Sequence, residues 1–144
     1  ILQEDAALPV QVVAERVGLS PNPCWRRIKQ LEAAGVIERR VALVNASAVG
    51  LGVTVFVSIR TNQHNADWLQ SFARGVQSIP EIVECHRMSG DSDYLLKVVV
   101  RDIQHYDRVY RRLIAAVPGL SDVSSTFSME RLKHSTKLEL ATAS

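Results

Sequence analysis

A turn followed by a two-faced helix, residues 18–35, constrains the fold of this chain more than any other stretch. Cys24, Ile28 and Leu31 recur at helical spacing, which predicts a single buried stripe along that helix. The positions between them hold mostly basic and amide side chains, which suit contacts with phosphates and base edges. Gly18 supplies a positive-φ turn before the helix. The stretch therefore predicts the second helix of a helix-turn-helix unit that binds DNA.

Both ends of this helix carry recognisable signals. Asn22 precedes a proline and therefore avoids helical dihedral angles, so it is the better N-cap, with Pro23 at the first helical position. Ser20 is the other possible N-cap. Gly35 is expected to end the helix, and Val36 to fold back on it as in a Schellman cap.

Seven polar or basic residues form the candidate DNA-binding set. They are Ser20, Asn22, Arg26, Arg27, Lys29, Arg39 and Arg40. Asn22, Arg26 and Arg27 are expected at base edges, and the other three basic side chains at phosphates. The alternative is a generic amphipathic helix whose arginines are only solvated. Trp25 is expected to pack at the flank of the helix-turn-helix, with contact to the sugar-phosphate backbone as the alternative.

The first part of the chain predicts a small helical domain. Residues 1–6 resemble the end of a truncated helix, and a second helix is expected from Pro9 to Val17. The β-rich residues 36–44 predict a wing or a connecting strand. The predicted segments are residues 1–44 as a helix-turn-helix domain, 45–52 as a linker and 53–144 as a second domain.

Beyond residue 52 the hydrophobic pattern predicts alternating strands and helices. Strands are expected at 53–59, 81–89, 94–100 and 123–129, and helices at 65–79 and 103–117, the second with Asp102 as its N-cap and Ile103 in its buried stripe. The order β-α-β-β-α-β is that of the ferredoxin-like sandwich, an antiparallel sheet covered by helices on one face. The fold class is therefore α+β, with a winged helix-turn-helix followed by this sandwich. Residues 132–140 give a weak signal for an added edge strand.

Composition limits the classes of function. The net charge of +2 is too small to prove a nucleic-acid partner. No apolar run reaches the ~18 residues of a membrane span, and two cysteines suit a reducing cytosol better than a disulfide framework. The four histidines lack metal-binding spacing, and no nucleotide-binding or nucleophile-elbow motif occurs. The sequence predicts a cytoplasmic protein without a catalytic residue, metal or cofactor.

A second candidate site is the loop of residues 89–94, Ser-Gly-Asp-Ser-Asp-Tyr. A hairpin that needs glycine and aspartate for its geometry is one sufficient explanation. A functional explanation is that backbone N–H groups near Gly90 accept the carboxylate of an amino acid while Asp91 or Asp93 pairs with its ammonium group. The candidate effector-binding set is Gly90, Asp91, Asp93, Tyr94, Ser124 and Thr126.

The two motifs together resemble the Lrp/AsnC transcription regulators, also called feast/famine regulatory proteins. The resemblance runs from Gly18 to Ile37, through Leu51 and Gly52, and from Gly90 to Leu96, so it covers nearly the whole chain. It departs at Trp25, which often has an aliphatic counterpart in the family. Alternating apolar residues on 53–59 and 123–129 also leave a surface that subunit pairing could bury.

This resemblance implies an N-terminal domain that binds double-stranded DNA and a C-terminal domain that binds an amino-acid effector. It also implies homodimers joined through their sheets, often assembled into tetramers or octamers. Gly90, Asp91, Asp93 and Tyr94 correspond to the effector loop of the family. A different class of function is an enzyme on this architecture, such as a tetrapyrrole decarboxylase, for which His86 and Arg87 would be recruited. The basic surface of the first domain favours the regulator.

Overall fold

The structure is a computed structural model that describes residues 1–141. The chain forms two compact units. One comprises residues 1–43 together with the described residues from Leu132, and the other comprises residues 44–131. This division differs from the predicted segments at the C-terminal end, because the residues from Leu132 pack with the first unit.

The first unit contains two helices around a small core. Helix α1 is Val10–Val17 and helix α2 is Pro21–Ala33, and Gly18, with φ 71°, makes the turn that follows α1. The buried core residues are Val13, Ala14, Cys24 and Ile28. Leu31 is 41% exposed, so the predicted stripe on α2 is buried only in its first two positions.

Helix α2 begins at Pro21, and its N-cap is Ser20, whose backbone is extended at φ −75° and ψ 159°. The prediction of Asn22 as the N-cap is therefore wrong, and the alternative, Ser20, is confirmed. Pro21 explains the difference, because proline has no N–H to satisfy and its fixed φ suits the first helical position. Asn22 consequently lies inside the first turn, where it is exposed.

The C-terminal end of α2 closes as predicted. Gly35 has φ 75°, a left-handed conformation that favours glycine. Its N–H donates to the carbonyl of Glu32 at 3.1 Å, and the N–H of Val36 donates to the carbonyl of Leu31 at 2.9 Å. This pair of bonds defines the Schellman cap.

Three segments of the first unit lack regular structure. Residues 1–6 form hydrogen-bonded turns instead of the predicted helix end. Residues 38–43 are irregular, and residues 132–140 form no edge strand. The side chain of Gln3 instead exchanges two hydrogen bonds, of 2.7 and 3.1 Å, with the backbone of Leu138. A side-chain amide thus satisfies backbone groups that a neighbouring strand would otherwise satisfy.

The second unit is a four-stranded antiparallel sheet with two helices. Strands β1 to β4 are Val53–Thr61, Ile82–Arg87, Tyr94–Val100 and Leu120–Phe127. Helices α3 and α4 are Ala66–Gln77 and Ile103–Ala116, and a short 3-10 helix, Ser47–Val49, precedes β1. The spatial order is β2-β3-β1-β4, and all three neighbouring pairs are antiparallel. The predicted ferredoxin-like order of elements is confirmed.

Alternate residues of the two central strands pack against the helices. The fully buried ones are Val55, Val57, Ile59, Leu96, Val98 and Val100. Asp102 caps α4 as predicted, because its side chain accepts the N–H of His105 at 2.7 Å. Ile103, however, is 67% exposed while Val109 is 2% exposed, so the buried stripe begins further into the helix than predicted. Met129 is 95% exposed and lies beyond the end of β4.

The opposite face of the sheet is not covered by α3 or α4. Three residue pairs across β1 and β4 share this face: Phe56 with Thr126, Ser58 with Ser124, and Arg60 with Asp122. The apolar alternation within residues 53–59 was predicted to be available for subunit pairing, but it is buried against the helices. The cause is strand phase: the odd-numbered residues of β1 face the helices, so its mostly polar even-numbered residues face outward.

Candidate DNA interface and effector site

Helix α2 presents Asn22, Arg26 and Lys29 on the side opposite its buried residues, Cys24 and Ile28. Successive helical residues lie about 100° apart around the axis, which brings positions 22, 26 and 29 to one side. All three side chains are exposed. This side of α2 can offer an amide, a guanidinium and an ammonium group to a nucleic acid.

The other predicted DNA-binding residues lie elsewhere. Arg27 is also exposed but lies about 100° around the helix from Arg26, towards the flank of the buried stripe. Ser20 is exposed at the start of α2, and its side chain makes no capping hydrogen bond. Arg39 is exposed in the irregular segment after the helix. The structure therefore separates one central group from a set of flanking donors.

Glu32 contacts two of the predicted cations. Its carboxylate lies 3.2 Å from Nζ of Lys29 and 3.4 Å from the guanidinium of Arg40. Exposed ion pairs contribute only about 0–1 kcal/mol, so both cations can exchange Glu32 for a phosphate oxygen. Trp25 is 52% exposed, and its ring lies 5.8 Å from Nζ of Lys29. It lines an open depression of about 390 Å³ and so packs only in part.

Asp93 holds the hairpin between β2 and β3. Its carboxylate accepts the N–H of Thr61 at 2.8 Å, and its backbone N–H donates to Ile59 at 2.9 Å. Its carbonyl accepts the N–H of Met88 at 2.8 Å. Gly90 has φ 115°, a backbone conformation that residues with a side chain rarely adopt. Asp93 therefore already uses one carboxylate oxygen within the fold.

Tyr94, which is predicted to contact an effector, lies in the core. It is 8% exposed, and its ring centroid lies 4.4 Å from that of Phe72 and 5.9 Å from that of Trp68. Its partner across β1 and β3 is Ile59, whose side chain is buried under the helices. Residues paired in register share a face, so the phase of β3 points Tyr94 inward.

Six polar side chains line an open depression of about 310 Å³. They come from β1, the hairpin and β4, and they are Ser58, Arg60, Asp91, Ser92, Asp122 and Ser124. Only Asp91 and Ser124 belong to the predicted effector set. Thr126 shares the same face of the sheet but not the lining, and Gly90 adjoins Asp91 in the hairpin. Nε of Arg60 donates to the carbonyl of Asp91 at 2.5 Å and ties the hairpin to β1.

Four lining residues, Ser58, Arg60, Ser92 and Asp122, are additions to the predicted set. Strand alternation marks Ser58 and Arg60 as outward-facing. Their proximity to Asp122 depends on the β1–β4 register, which joins residues more than sixty positions apart in the chain. No local sequence signal carries that register.

The residues of the enzyme alternative do not share a face of the sheet. His86 pairs with Leu95 and Arg87 with Tyr94, and successive strand residues point to opposite faces. Among residues 1–141, no three His, Cys, Asp or Glu side chains are grouped so that they could hold a metal ion. In that same part of the chain, no helix has the length and apolar character needed to cross a membrane.

Two domain families match this chain. The winged helix-turn-helix DNA-binding domain matches residues 1–38. The Lrp/AsnC ligand binding domain matches residues 54–138, which is more than half of the chain. The first match contains α1 and α2, and the second contains the depression and all of the sheet except Val53.

Three similar proteins cover nearly the whole chain. An AsnC family transcriptional regulator from Agrobacterium tumefaciens is 54% identical with a TM-score of 0.91, over 96% of this chain and 90% of that one. The transcriptional regulator NMB0573 of Neisseria meningitidis, solved as a complex with L-methionine, is 34% identical with a TM-score of 0.89, over 96% and 89%. The DNA-binding transcriptional activator DecR of Escherichia coli K12 is 44% identical over 97% of this chain and 92% of DecR. These matches and the fold confirm the predicted resemblance: the chain belongs to the Lrp/AsnC family of transcriptional regulators.

Proposed function

We propose that this protein is a cytoplasmic, sequence-specific regulator of transcription that binds double-stranded DNA through α2 and responds to a small amino acid. The amino acid binds in the second unit and changes DNA affinity or assembly. One observation carries the proposal: a cationic helix surface and a polar depression of ligand size occur in the DNA-binding and ligand-binding parts of a single chain.

In this proposal, Asn22 and Arg26 read base edges in the major groove. An amide suits adenine and a guanidinium suits guanine, and both side chains stand at the centre of the exposed side of α2. Phosphate contacts come from the flanking donors: Ser20, Arg27, Lys29, Arg39 and Arg40. Arg27 is moved from the base-reading to the phosphate group because it lies on the flank of the helix.

The effector is proposed to bind at the hairpin and the depression beside it. Asp91 pairs with the ammonium group of the amino acid, and exposed N–H groups near Gly90 are available to its carboxylate. The regulator NMB0573, which was solved with L-methionine, supports an amino acid as the class of ligand. Asp93 acts indirectly, by holding the hairpin, and Ser124 contributes a hydroxyl.

We propose that the uncovered face of the sheet joins two copies of the chain, so that Ser124 and the depression lie at the contact between subunits. Dimers are proposed to assemble further into tetramers or octamers. Phe56 is 38% exposed on this face. A dimer fixes two recognition helices, so the operator should hold half-sites about one DNA turn, or a multiple of it, apart. Light scattering at micromolar concentration should give a dimer or larger mass, and a monomer mass would contradict this proposal.

The enzyme alternative has less support. The similar proteins are transcriptional regulators, and His86 and Arg87 point to opposite faces of the sheet. We therefore propose that the protein has no catalytic activity and needs no cofactor. Turnover of a tetrapyrrole by the purified protein would overturn this part of the proposal.

Two measurements test the proposed function. Selection from a random pool of duplex DNA should enrich one sequence with two related half-sites. A thermal-shift screen of the twenty amino acids should find at least one that raises the melting temperature, because a ligand selective for the native state stabilises it. Equal retention of all DNA sequences, together with no thermal shift, would contradict the proposal.

A further inference from the structure

The two tryptophans of the chain have different surroundings. Trp68 is 8% exposed, and its indole Nε1 donates to the carbonyl of Pro118 at 2.8 Å. Trp25, on α2, is 52% exposed. An indole offers a large apolar area to whatever packs against it. The core of the first unit leaves much of this area on Trp25 open to a partner.

Trp25 lies beside the central group of the DNA interface. Successive helical residues lie about 100° apart around the axis, so Trp25 is about 100° from Cys24 on the buried side. It is only about 40° from Lys29 and about 60° from Asn22. Arg27 lies on the opposite flank of the helix. Trp25 therefore borders the side of α2 that is proposed to face the bases.

Packing holds part of the indole in place. The ring lines the open depression of the first unit together with apolar side chains that include Leu8, Val10 and Ile28. Nζ of Lys29 lies 5.8 Å from the ring centroid, within the range of cation–π attraction. A side chain that is already held loses little further freedom when a partner covers it. Contact of Trp25 with DNA therefore requires little additional ordering.

We propose that Trp25 is a specificity-determining residue that contacts the C5-methyl group of a thymine in the major groove. This inference rests on the proposed function, in which α2 is the recognition helix. Apolar side chains read the major groove through this methyl group, which only thymine presents there. Consecutive Cα atoms are about 3.8 Å apart and base pairs about 3.4 Å apart, so the thymine lies within roughly two base pairs of the base that Arg26 reads.

A contact between Trp25 and the sugar-phosphate backbone is the competing arrangement. An indole offers a phosphate only one uncharged N–H donor. Lys29 and Arg40 line the same depression and carry positive charge, so they are the better phosphate partners on this flank. The apolar area of the indole is instead suited to covering a methyl group.

The test replaces thymine by deoxyuridine, one position at a time, in the selected operator. This replacement removes only the methyl group. The full chain is titrated with each duplex at fixed salt. One thymine in each half-site should be sensitive: its replacement should weaken binding about three- to five-fold, as expected for one buried methyl group. Replacement in both half-sites should weaken binding about ten- to twenty-fold.

Trp25→Ala should weaken binding to the operator and should lose this sensitivity, so that thymine and deoxyuridine give the same affinity to within about two-fold. Comparison with the parent is a double-mutant cycle, which isolates the contact between the ring and the methyl group. Trp25→Phe keeps an apolar ring and should retain part of the sensitivity. The scan of the parent needs no variant, so it still tests the inference if Trp25→Ala folds poorly.

Leu31→Ala is the matched control. Leu31 is a large apolar residue of α2 that is 41% exposed, and it lies about 120° around the helix from Trp25, towards the buried side. This variant should keep the full sensitivity to deoxyuridine. Thermal unfolding of each variant without DNA checks that it is folded.

Three results would overturn the inference. The first is a selected operator with no thymine near the base read by Arg26, or a parent that is insensitive to deoxyuridine there. The second is equal sensitivity in the parent and in Trp25→Ala, because another side chain then reads the methyl group. The third is a Trp25→Ala variant that binds operator and random DNA equally weakened, with no sensitive thymine in the parent, which would assign the ring to the sugar-phosphate backbone.

These outcomes are distinct from failure of the proposed function. In all three, a parent that selects one sequence, and an Arg26→Ala variant with relaxed specificity, would leave α2 as the recognition helix. Failure of the parent to enrich any sequence would overturn the proposed function itself, and this inference with it.

Discussion

The two aspartates of the hairpin have different surroundings, although only one residue separates them. Asp93 accepts the N–H of Thr61 and is half-buried. The carboxylate of Asp91 is exposed, lines the depression, and makes no hydrogen bond within residues 1–141. At the scale of single residues, the contact that stabilises the fold and the proposed contact with the effector therefore belong to different side chains.

Asp93→Ala should destabilise the protein by about 1–3 kcal/mol, because it leaves the partly buried N–H of Thr61 without its acceptor. Asp91→Ala should change stability by no more than about 0.5 kcal/mol, as for other surface substitutions, while weakening amino-acid binding. Urea unfolding and calorimetry measure the two effects. Equal loss of stability in both variants would show that this division is wrong.

Arg26 and Arg39 make a matched pair for DNA binding, since both are exposed arginines of the first unit. Arg26→Ala should cost roughly 1–3 kcal/mol on the operator and relax specificity at one position. Arg39→Ala should weaken operator and random DNA alike and reduce the salt slope by about one unit. Titrations of both DNAs at several salt concentrations measure this. Unaltered binding of Arg26→Ala to both would show that α2 is not the recognition helix.

A charged cluster connects the start of β2 with α4 at the scale of elements. His105 is buried, and its Nδ1 accepts the N–H of Arg101 at 3.1 Å. Its Nε2 therefore carries the proton and donates to the carboxylate of Glu81 at 3.2 Å. Arg112 contacts the same carboxylate at 3.3 Å. Burial raises the pKa of Glu81. Hydrogen bonds from its own backbone N–H and from His105, together with the charge of Arg112, lower the pKa by more than that, so it lies below the ordinary value of a glutamate.

This lowered pKa predicts loss of stability in acid. A carboxyl group whose pKa is lower in the folded than in the unfolded state stabilises the fold above its unfolded pKa, and the stabilisation is lost as the pH falls through the folded pKa. The free energy of unfolding in urea should therefore fall as the pH drops below about 4.5. Glu81→Gln should remove part of this dependence. Glu84→Gln, at an exposed position of β2, is the control and should retain it.

Elements with strong periodicity could be predicted from the sequence. The bounds of β3 and the cap at Asp102 follow from local spacing and local hydrogen bonding. The predicted start of α2 was wrong because Pro21 and Pro23 could each occupy the first position of the helix. The sequence around them does not decide between the two, and the folded turn places Pro21 first. The segment 132–140 has no local signal for its contact with Gln3, which lies at the other end of the chain.

The DNA interface could be predicted from the sequence more completely than the effector site. The exposed side of α2 follows from helix geometry, because positions four apart share a side. The inward orientation of Tyr94 could also be predicted from the sequence. Lys97 indicates that the odd-numbered residues of β3 face outward, so Tyr94 faces the core. The depression could not be predicted from the sequence, because Arg60 and Asp122 are brought together only by the register of β1 and β4, two strands far apart in the sequence.

The proposed DNA contacts and the proposed effector contacts lie in different compact units of the whole molecule. An effector changes DNA affinity only when it binds two states of the protein with different affinity. Coupling of this kind is typically about 5- to 150-fold and is reciprocal, so operator DNA should change effector affinity by the same factor.

The central claim is that one chain couples binding of an amino acid to binding of a specific DNA sequence. The most direct test is titration of the selected operator, at fixed salt, with and without a saturating amount of the best amino acid. We predict that the amino acid changes the midpoint by about 5- to 150-fold, or changes the steepness of the curve if assembly is the response. Asp91→Ala should bind the operator with the parent's basal affinity but respond less at the same amino-acid concentration. Superimposable curves for the parent protein with and without the bound amino acid would contradict the claim.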